Sequence, residues 1–179
     1  MSSGPNPDSF GVTDSLSRTA RPEPWTSMPG GTKVGSDVRS RVSAYAIAVA
    51  EGRLLLTRLS DSSPVFLSGL WHLPGGGIDP GEQPRETLER ELHEETGLEL
   101  LDARLVDARA YTAHRLGVNW NLVGLFYLVD LKPGPIAVTR TDDSTSAVTW
   151  MPLSGLEESR LSPAAIDSLG MIGAGEMRQ

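Results

Sequence analysis

The sequence predicts an α/β fold, a central mixed β-sheet packed between helices. Three observations carry that expectation. Apolar, partly β-branched runs recur at 42–59 and again between 104 and 153. A stretch with apolar residues at helical spacing, 84–96, separates the two groups. A second helix start, Ser162-Pro163, follows the last run. Strands, helix, strands, helix is an order that layers a sheet with helices. A chain of 179 residues can build one domain with a substantial core.

Residues 1–40 are rich in Ser, Pro, Gly and Thr and carry few apolar positions. Such a segment cannot bury enough surface to offset its ordering entropy, so a flexible N-terminal tail is expected, docking if at all through Trp25 and Met28. The domain is expected over 41–170, with a C-terminal tail at 171–179. Val42 to Ala50 reads as a first strand, Glu51-Gly52 as a turn and Leu54 to Leu59 as a second strand. Asp61 to Gly69 is a loop. Leu70 to Leu73 then delivers the chain into Pro74 and three consecutive glycines, Gly75 to Gly77, whose backbone can approach a ligand closely. Leu98 to Leu101 and Arg104 to Tyr111 read as extended, and His114 to Asn121 as a polar turn. Leu122 to Leu131 reads as a strand buried on both faces. Thr139 to Ser146 is a polar loop, Ala147 to Leu153 the last strand, and 163–169 a helix with Ala165, Ile166 and Leu169 facing the core.

The chemistry concentrates in the first helix. Pro84 suits its first turn and Gly97 the residue just past its end. Leu88 and Leu92 form an apolar ridge, while Glu91, Glu94 and Glu95 stand at i, i+3 and i+4 on one face. Carboxylates this close repel one another, and Arg90 is the helix-spaced positive partner of Glu94. A divalent cation would relieve the repulsion, and hard oxygen donors suit Mg2+ or Mn2+ better than zinc. A charge-rich helix is also an ordinary solvated surface, so spacing has to decide.

The spacing reads G-x5-E-x7-R-E-U-x-E-E-x-G-U, with U aliphatic, and every fixed place is filled: Gly76, Glu82, Arg90, Glu91, Leu92, Glu94, Glu95, Gly97 and Leu98. This resembles the Nudix box of the Nudix hydrolases, a family that includes the MutT-type enzymes. The resemblance covers roughly 41–169 and implies a Nudix-type α/β/α sandwich. It implies hydrolysis of a nucleoside diphosphate linked to another group, by water attack on phosphorus with divalent cations present. It places Glu94 and Glu95 as metal ligands and Glu91 as ligand or general base. Arg90 would orient a box carboxylate, and Gly75 would lend its carbonyl to the metal. Glu82 is either an outer ligand or an anchor of the helix start. Some relatives take the base from a later loop. No glutamate occurs between Glu99 and Glu157, so Asp142 and Asp143 are the alternative base, or simply a polar turn.

Trp71 and Phe126 are expected in the core, leaving Tyr111, Trp120 and Tyr127 to stack a nucleobase. His72, His93 and His114 are scattered, with His93 facing solvent. The net charge of -7 argues against broad adhesion to a nucleic acid polymer or an anionic membrane, yet allows a phosphorylated small substrate beside metal ions. Zero cysteines exclude disulfides and thiol chemistry. No apolar run suits a membrane span or a secretory signal, and a cytoplasmic protein is expected. By analogy alone, relatives add a homodimer. The substrate expected first is a nucleoside triphosphate. ADP-ribose, a nucleotide sugar, or a Nudix-fold sensor without turnover are the alternatives.

Overall fold

The computed structural model describes residue 1, residues 38–139 and residues 144–176. The expectations for the N-terminal tail and for Asp142 and Asp143 fall outside the described residues. The elements, in chain order, are β1 (Val38–Ile47), β2 (Val49–Ala50), β3 (Arg53–Leu59), β4 (Trp71–His72), β5 (Gly75–Gly77), α1 (Pro84–Thr96), β6 (Leu100–Arg115), β7 (Val118–Leu131), β8 (Thr145–Pro152) and α2 (Pro163–Glu176).

A mixed sheet runs in the order β5-β1-β7-β6. β1 and β7 are parallel from Val38↔Asn119 to Ile47↔Leu128, and the other neighbours are antiparallel. A second, antiparallel sheet has β3 at its centre, paired with β2, β4 and β8.

Side chains of alternating position on β1 divide the core. Ala44, Ala46 and Ala48 face Leu88 and Leu92 of α1, together with Leu55. Tyr45 and Ile47 face Ala164, Ala165 and Met171 of α2, together with Leu54, Leu56 and Phe126. The strands therefore lie between the two helices, the α/β/α layering expected. The small alanines allow α1 to sit close to the sheet, which bears on the site.

Several boundaries moved. The two extended segments after α1 are one 16-residue strand, β6, and the polar turn shrinks to Leu116-Gly117. Both turn residues have positive φ, 50° and 75°, as a two-residue hairpin between right-twisted strands requires. Asparagines and a histidine masked that pairing, because at a sheet end they stand on extended backbone as readily as in a turn. The glycine run is not an open loop: Gly75–Gly77 pairs with Ser43–Tyr45 of β1. β7 is fully covered on the α2 side at Leu122 and Phe126 but only half-buried at Val123, Leu125 and Tyr127 on the other. α2 runs past Leu169 to Glu176, and Met171 is buried in the core instead of opening a tail.

Candidate active site

Local chemistry fixes both ends of α1. Pro84 opens the helix, and the Glu86 carboxylate accepts the Gln83 N–H at 2.8 Å. At the other end Gly97 takes a left-handed conformation, φ 74°, and its N–H donates to the His93 carbonyl at 3.0 Å. The last carbonyls are not left to water: the Thr139 N–H and hydroxyl donate to Glu94 O, and the Ala137 N–H to Thr96 O. With Leu88 and Leu92 fully buried, the helix cannot rotate, and its acidic flank is aimed at β5.

Glu95 is buried, with both carboxylate oxygens engaged. Oε2 accepts the Gly75 N–H at 2.9 Å, and Oε1 accepts the Thr145 hydroxyl at the start of β8. Glu91, also buried, lies over Gly76: a Cβ there would stand 2.2 Å from its Oε1. Glu94 is half-buried, its Oε2 3.7 Å from Arg90 Nη1. Arg90 contacts two box carboxylates at once. Its Nε and Nη2 hold Glu82 with two parallel bonds of 2.9 and 3.0 Å, while Nη1 donates to Glu91 Oε1 at 2.8 Å. Glu82 further accepts the Thr87 hydroxyl at 2.8 Å and the Asp79 N–H at 3.1 Å. That is the geometry of a helix-start anchor. The Arg90 bonds, then Thr87, pull the Glu82 carboxyl down to about 2, and the same pairing raises the Arg90 guanidinium above its ordinary range.

Of these carboxylates Glu95 lines a small cleft, whose wall includes Arg41, Ser43, Tyr45, Gly75 and Gly76. Arg41 crosses Gly77 so closely that a Cβ there would lie 2.5 Å from its guanidinium. Neither Arg41 nor Thr145 stood out in the sequence. Each lies far from the box in the chain, and only the β1–β5 and β3–β8 pairings bring them to it. Gly75, expected to offer its carbonyl, is held through its N–H.

The aromatic candidates do not share one platform. Tyr111 and Trp120 pack with Phe66 on the α2 side, where the Tyr111 hydroxyl donates to Asp167 Oδ2 at 2.6 Å. Tyr127 lies on the opposite face, against the α1 cluster. Phe126 is fully buried and Trp71 packs on the core, as expected, and His93 is exposed. His72 is buried, its Nδ1 2.6 Å from Ser162 Oγ.

Among the described residues no three His, Cys, Asp or Glu side chains converge as a group that could hold a metal ion. The donor chemistry nonetheless fits a hard cation, since the carboxylates of Glu91 and Glu95 lie against the Gly75–Gly76 backbone and Glu94 is one turn of helix from Glu91. Arg90 and Thr145 occupy oxygens of Glu91 and Glu95 that an ion would use.

The family described as NUDIX domain matches residues 38–169, spanning β1 to α2 and every residue of this site. The chain belongs to the Nudix hydrolase family. Among curated relatives it is similar to the nucleoside triphosphatase NudI of Escherichia coli O1:K1, 41% identical over 64 residues, which cover 36% of this chain and 45% of that protein. The chain thus spans about half the length of the curated relatives it matches. Among solved structures this Nudix chain is similar to a MutT NUDIX hydrolase from Burkholderia pseudomallei, at TM-score 0.61 and 27% identity over 75% of this chain and 98% of that one. The fold also matches the NUDIX domain of Shewanella oneidensis NrtR, whose structure was solved with ADP ribose, at TM-score 0.58 and 20% identity over 82% of this chain and 93% of that one.

Proposed function

We propose that this Nudix protein is a divalent-cation-dependent pyrophosphohydrolase, acting first on nucleoside triphosphates by attack of water on phosphorus. The observation that carries the reading is the placement of Glu91 and Glu95 against the Gly75–Gly77 strand, beside a cleft that Glu95 and Arg41 both line. Similarity to a nucleoside triphosphatase over the 64 matched residues supports the substrate class.

Glu91, Glu94 and Glu95 would hold Mg2+ or Mn2+, which when bound screens phosphate charge, polarises the P–O bond and lowers the pKa of water. The chain's own residues do the rest. Arg90 ties Glu91 to Glu82 and keeps its carboxylate aimed at the cleft. Thr145 and the Gly75 N–H hold the Glu95 carboxylate beside β5, and an ion that binds it shares or displaces the Thr145 bond. Arg41 brings positive charge to a protein of net charge -7, where a polyphosphate needs it. Glu91, or alternatively Asp142 or Asp143, takes the proton from the attacking water.

The test is a panel of nucleoside triphosphates, ADP-ribose and nucleotide sugars with Mg2+, run in isotopically labelled water with product identification. Release of pyrophosphate and nucleoside monophosphate is expected, and the product that carries the label reports which phosphorus water attacks. Turnover confined to ADP-ribose or nucleotide sugars would replace the substrate class. Tight binding with no turnover on any of them would replace the enzyme by a sensor.

A further inference from the structure

His72, 5% exposed, stands at the end of β4 and lines the same small cleft as Arg41, Tyr45 and Glu95. Its Nδ1 lies 2.6 Å from Ser162 Oγ, and that oxygen also accepts the Ala165 N–H at 3.2 Å. Ser162 is fully buried, and among the described residues its hydroxyl has no other partner. A hydroxyl has one proton to give, and a buried one is rarely left ungiven. Among the described residues the acceptor in its reach is Nδ1. Ser162 therefore donates to Nδ1, and the proton of the neutral imidazole sits on Nε2. The opposite tautomer would aim two N–H groups at one oxygen and leave the hydroxyl proton buried without an acceptor. Burial, which lowers the ring to about 3, keeps it from taking a second proton.

Nε2 is thus a donor, and among the described residues it makes no hydrogen bond. It is not sealed either. Among the described residues, the side-chain nitrogens and oxygens shut off from solvent without a partner are the indole nitrogens of Trp71 and Trp120. The ring packs against Tyr45, centroids 4.8 Å apart and planes at 82°, and against Phe66 at 5.2 Å and 49°. The opening left to it is the cleft that it lines. That cleft, about 40 Å³, has room for an atom or two of a ligand and not for a ring. Val65 and Phe66 form part of its wall and also of the wall of a cavity of about 740 Å³, which Leu70 and Tyr111 line further on. A base resting on Phe66 in the larger space can put one edge atom within reach of His72.

We propose that His72 is a specificity-determining donor whose Nε2–H bonds a carbonyl oxygen of the substrate's nucleobase, with Ser162 the positioning residue that fixes its tautomer. The proposal rests on the nucleotide-hydrolase reading above and narrows its substrates. A neutral donor between two aromatic rings suits a neutral acceptor, whereas phosphate oxygens are better matched by the Arg41 guanidinium in the same cleft. Hypoxanthine, guanine and uracil carry a carbonyl where adenine and cytosine carry an amino group. The carbonyl gains a bond. The amino group sets one donor against another, with neither able to accept. ATP, CTP and ADP-ribose are thereby disfavoured.

Two measurements on the full chain test this. The first needs no turnover. The chain has three histidines, and the signals of exposed His93 and His114 are identified with H93Q and H114Q. Proton–nitrogen NMR of the imidazoles should then show His72 with Nε2 protonated and Nδ1 bare at neutral pH. A proton on Nδ1 would overturn the donor. The second is kcat/KM with Mg2+ for two pairs, inosine against adenosine triphosphate and UTP against CTP. The wild type should favour the carbonyl member of each pair about tenfold or more. His72→Leu should bring both ratios near one. Ser162→Ala should lower them, and Ser162→Thr, which keeps the hydroxyl, should retain them. Equal rates in the wild type, or ratios unmoved in H72L, would overturn the base contact. An equal loss on all four nucleotides in H72L would overturn it too, by placing the contact on phosphate. If no nucleotide is turned over, the same ratios are read as dissociation constants by calorimetry. A preserved preference there supports the donor while overturning the hydrolase, and equal constants overturn both.

Discussion

At the scale of single residues, this site is built as much from missing atoms as from present ones. Gly76 leaves the space that the Glu91 carboxylate fills. Gly76→Ala should push that carboxylate out of place and lower kcat about a hundredfold while the protein stays folded, as read by steady-state kinetics beside circular dichroism. Glu82 offers a test by pH. Its carboxyl is held at about 2 in the fold against 4.5 for a free glutamate. The unfolded chain therefore binds the extra proton first, between pH 4.5 and about 2. The stability Glu82 contributes is complete above 4.5 and drains away as pH falls toward 2. Melting curves across that window should be flatter for Glu82→Gln than for the wild type, and an equally steep loss in the variant would refute the assignment. The box spacing pointed to these residues. It could not say that Arg90 binds Glu82 with two of its nitrogens, because that bond spans a helix start whose path is set by Asp79 and Thr87.

At the scale of elements, the two helices are held differently. α1 is fixed by its ridge on three alanines, and Leu92→Ala should cost about 2–5 kcal/mol in denaturant unfolding, since the packed sheet cannot collapse into the gap. α2 is fixed at its start by one hydroxyl. Ser162 Oγ accepts the Ala165 N–H at 3.2 Å and bonds the ring of His72, which burial holds neutral by lowering it to about 3. Ser162→Ala removes a cap and strands a buried ring nitrogen, so a loss of about 1–3 kcal/mol is expected by the same measurement. Both helix starts and the αL glycine were legible as residues in sequence. The long β6–β7 hairpin was not, because its length is decided by cross-strand partners up to 31 residues apart, Leu100 with Leu131.

For the molecule as a whole, the cation site proposed on the acidic flank of α1 would couple ion binding to stability. A ligand that binds only the folded state at about a hundred times its Kd adds about 2.7 kcal/mol. For a chain of this size that raises Tm by roughly 5–10 °C. Mg2+ should produce such a shift in the wild type, read by calorimetry, and Glu94→Gln or Glu95→Gln should abolish most of it along with turnover. Retention of the shift and of near-wild-type rates in both would remove these carboxylates from the metal site.

What the sequence determined alone is local and periodic. The helix carrying the carboxylates, its ends, its buried ridge and its family follow from spacing within 23 residues, since a helix places i, i+3 and i+4 on one face whatever surrounds it. Tertiary structure alone decided what those carboxylates meet. Arg41, Gly75 and Thr145 reach the site through strand pairings, and the separation of Tyr127 from Tyr111 and Trp120 follows from which face of the sheet each strand position occupies. A strand's period of two tells its faces apart but does not name the neighbour, and the neighbour is what completes a site.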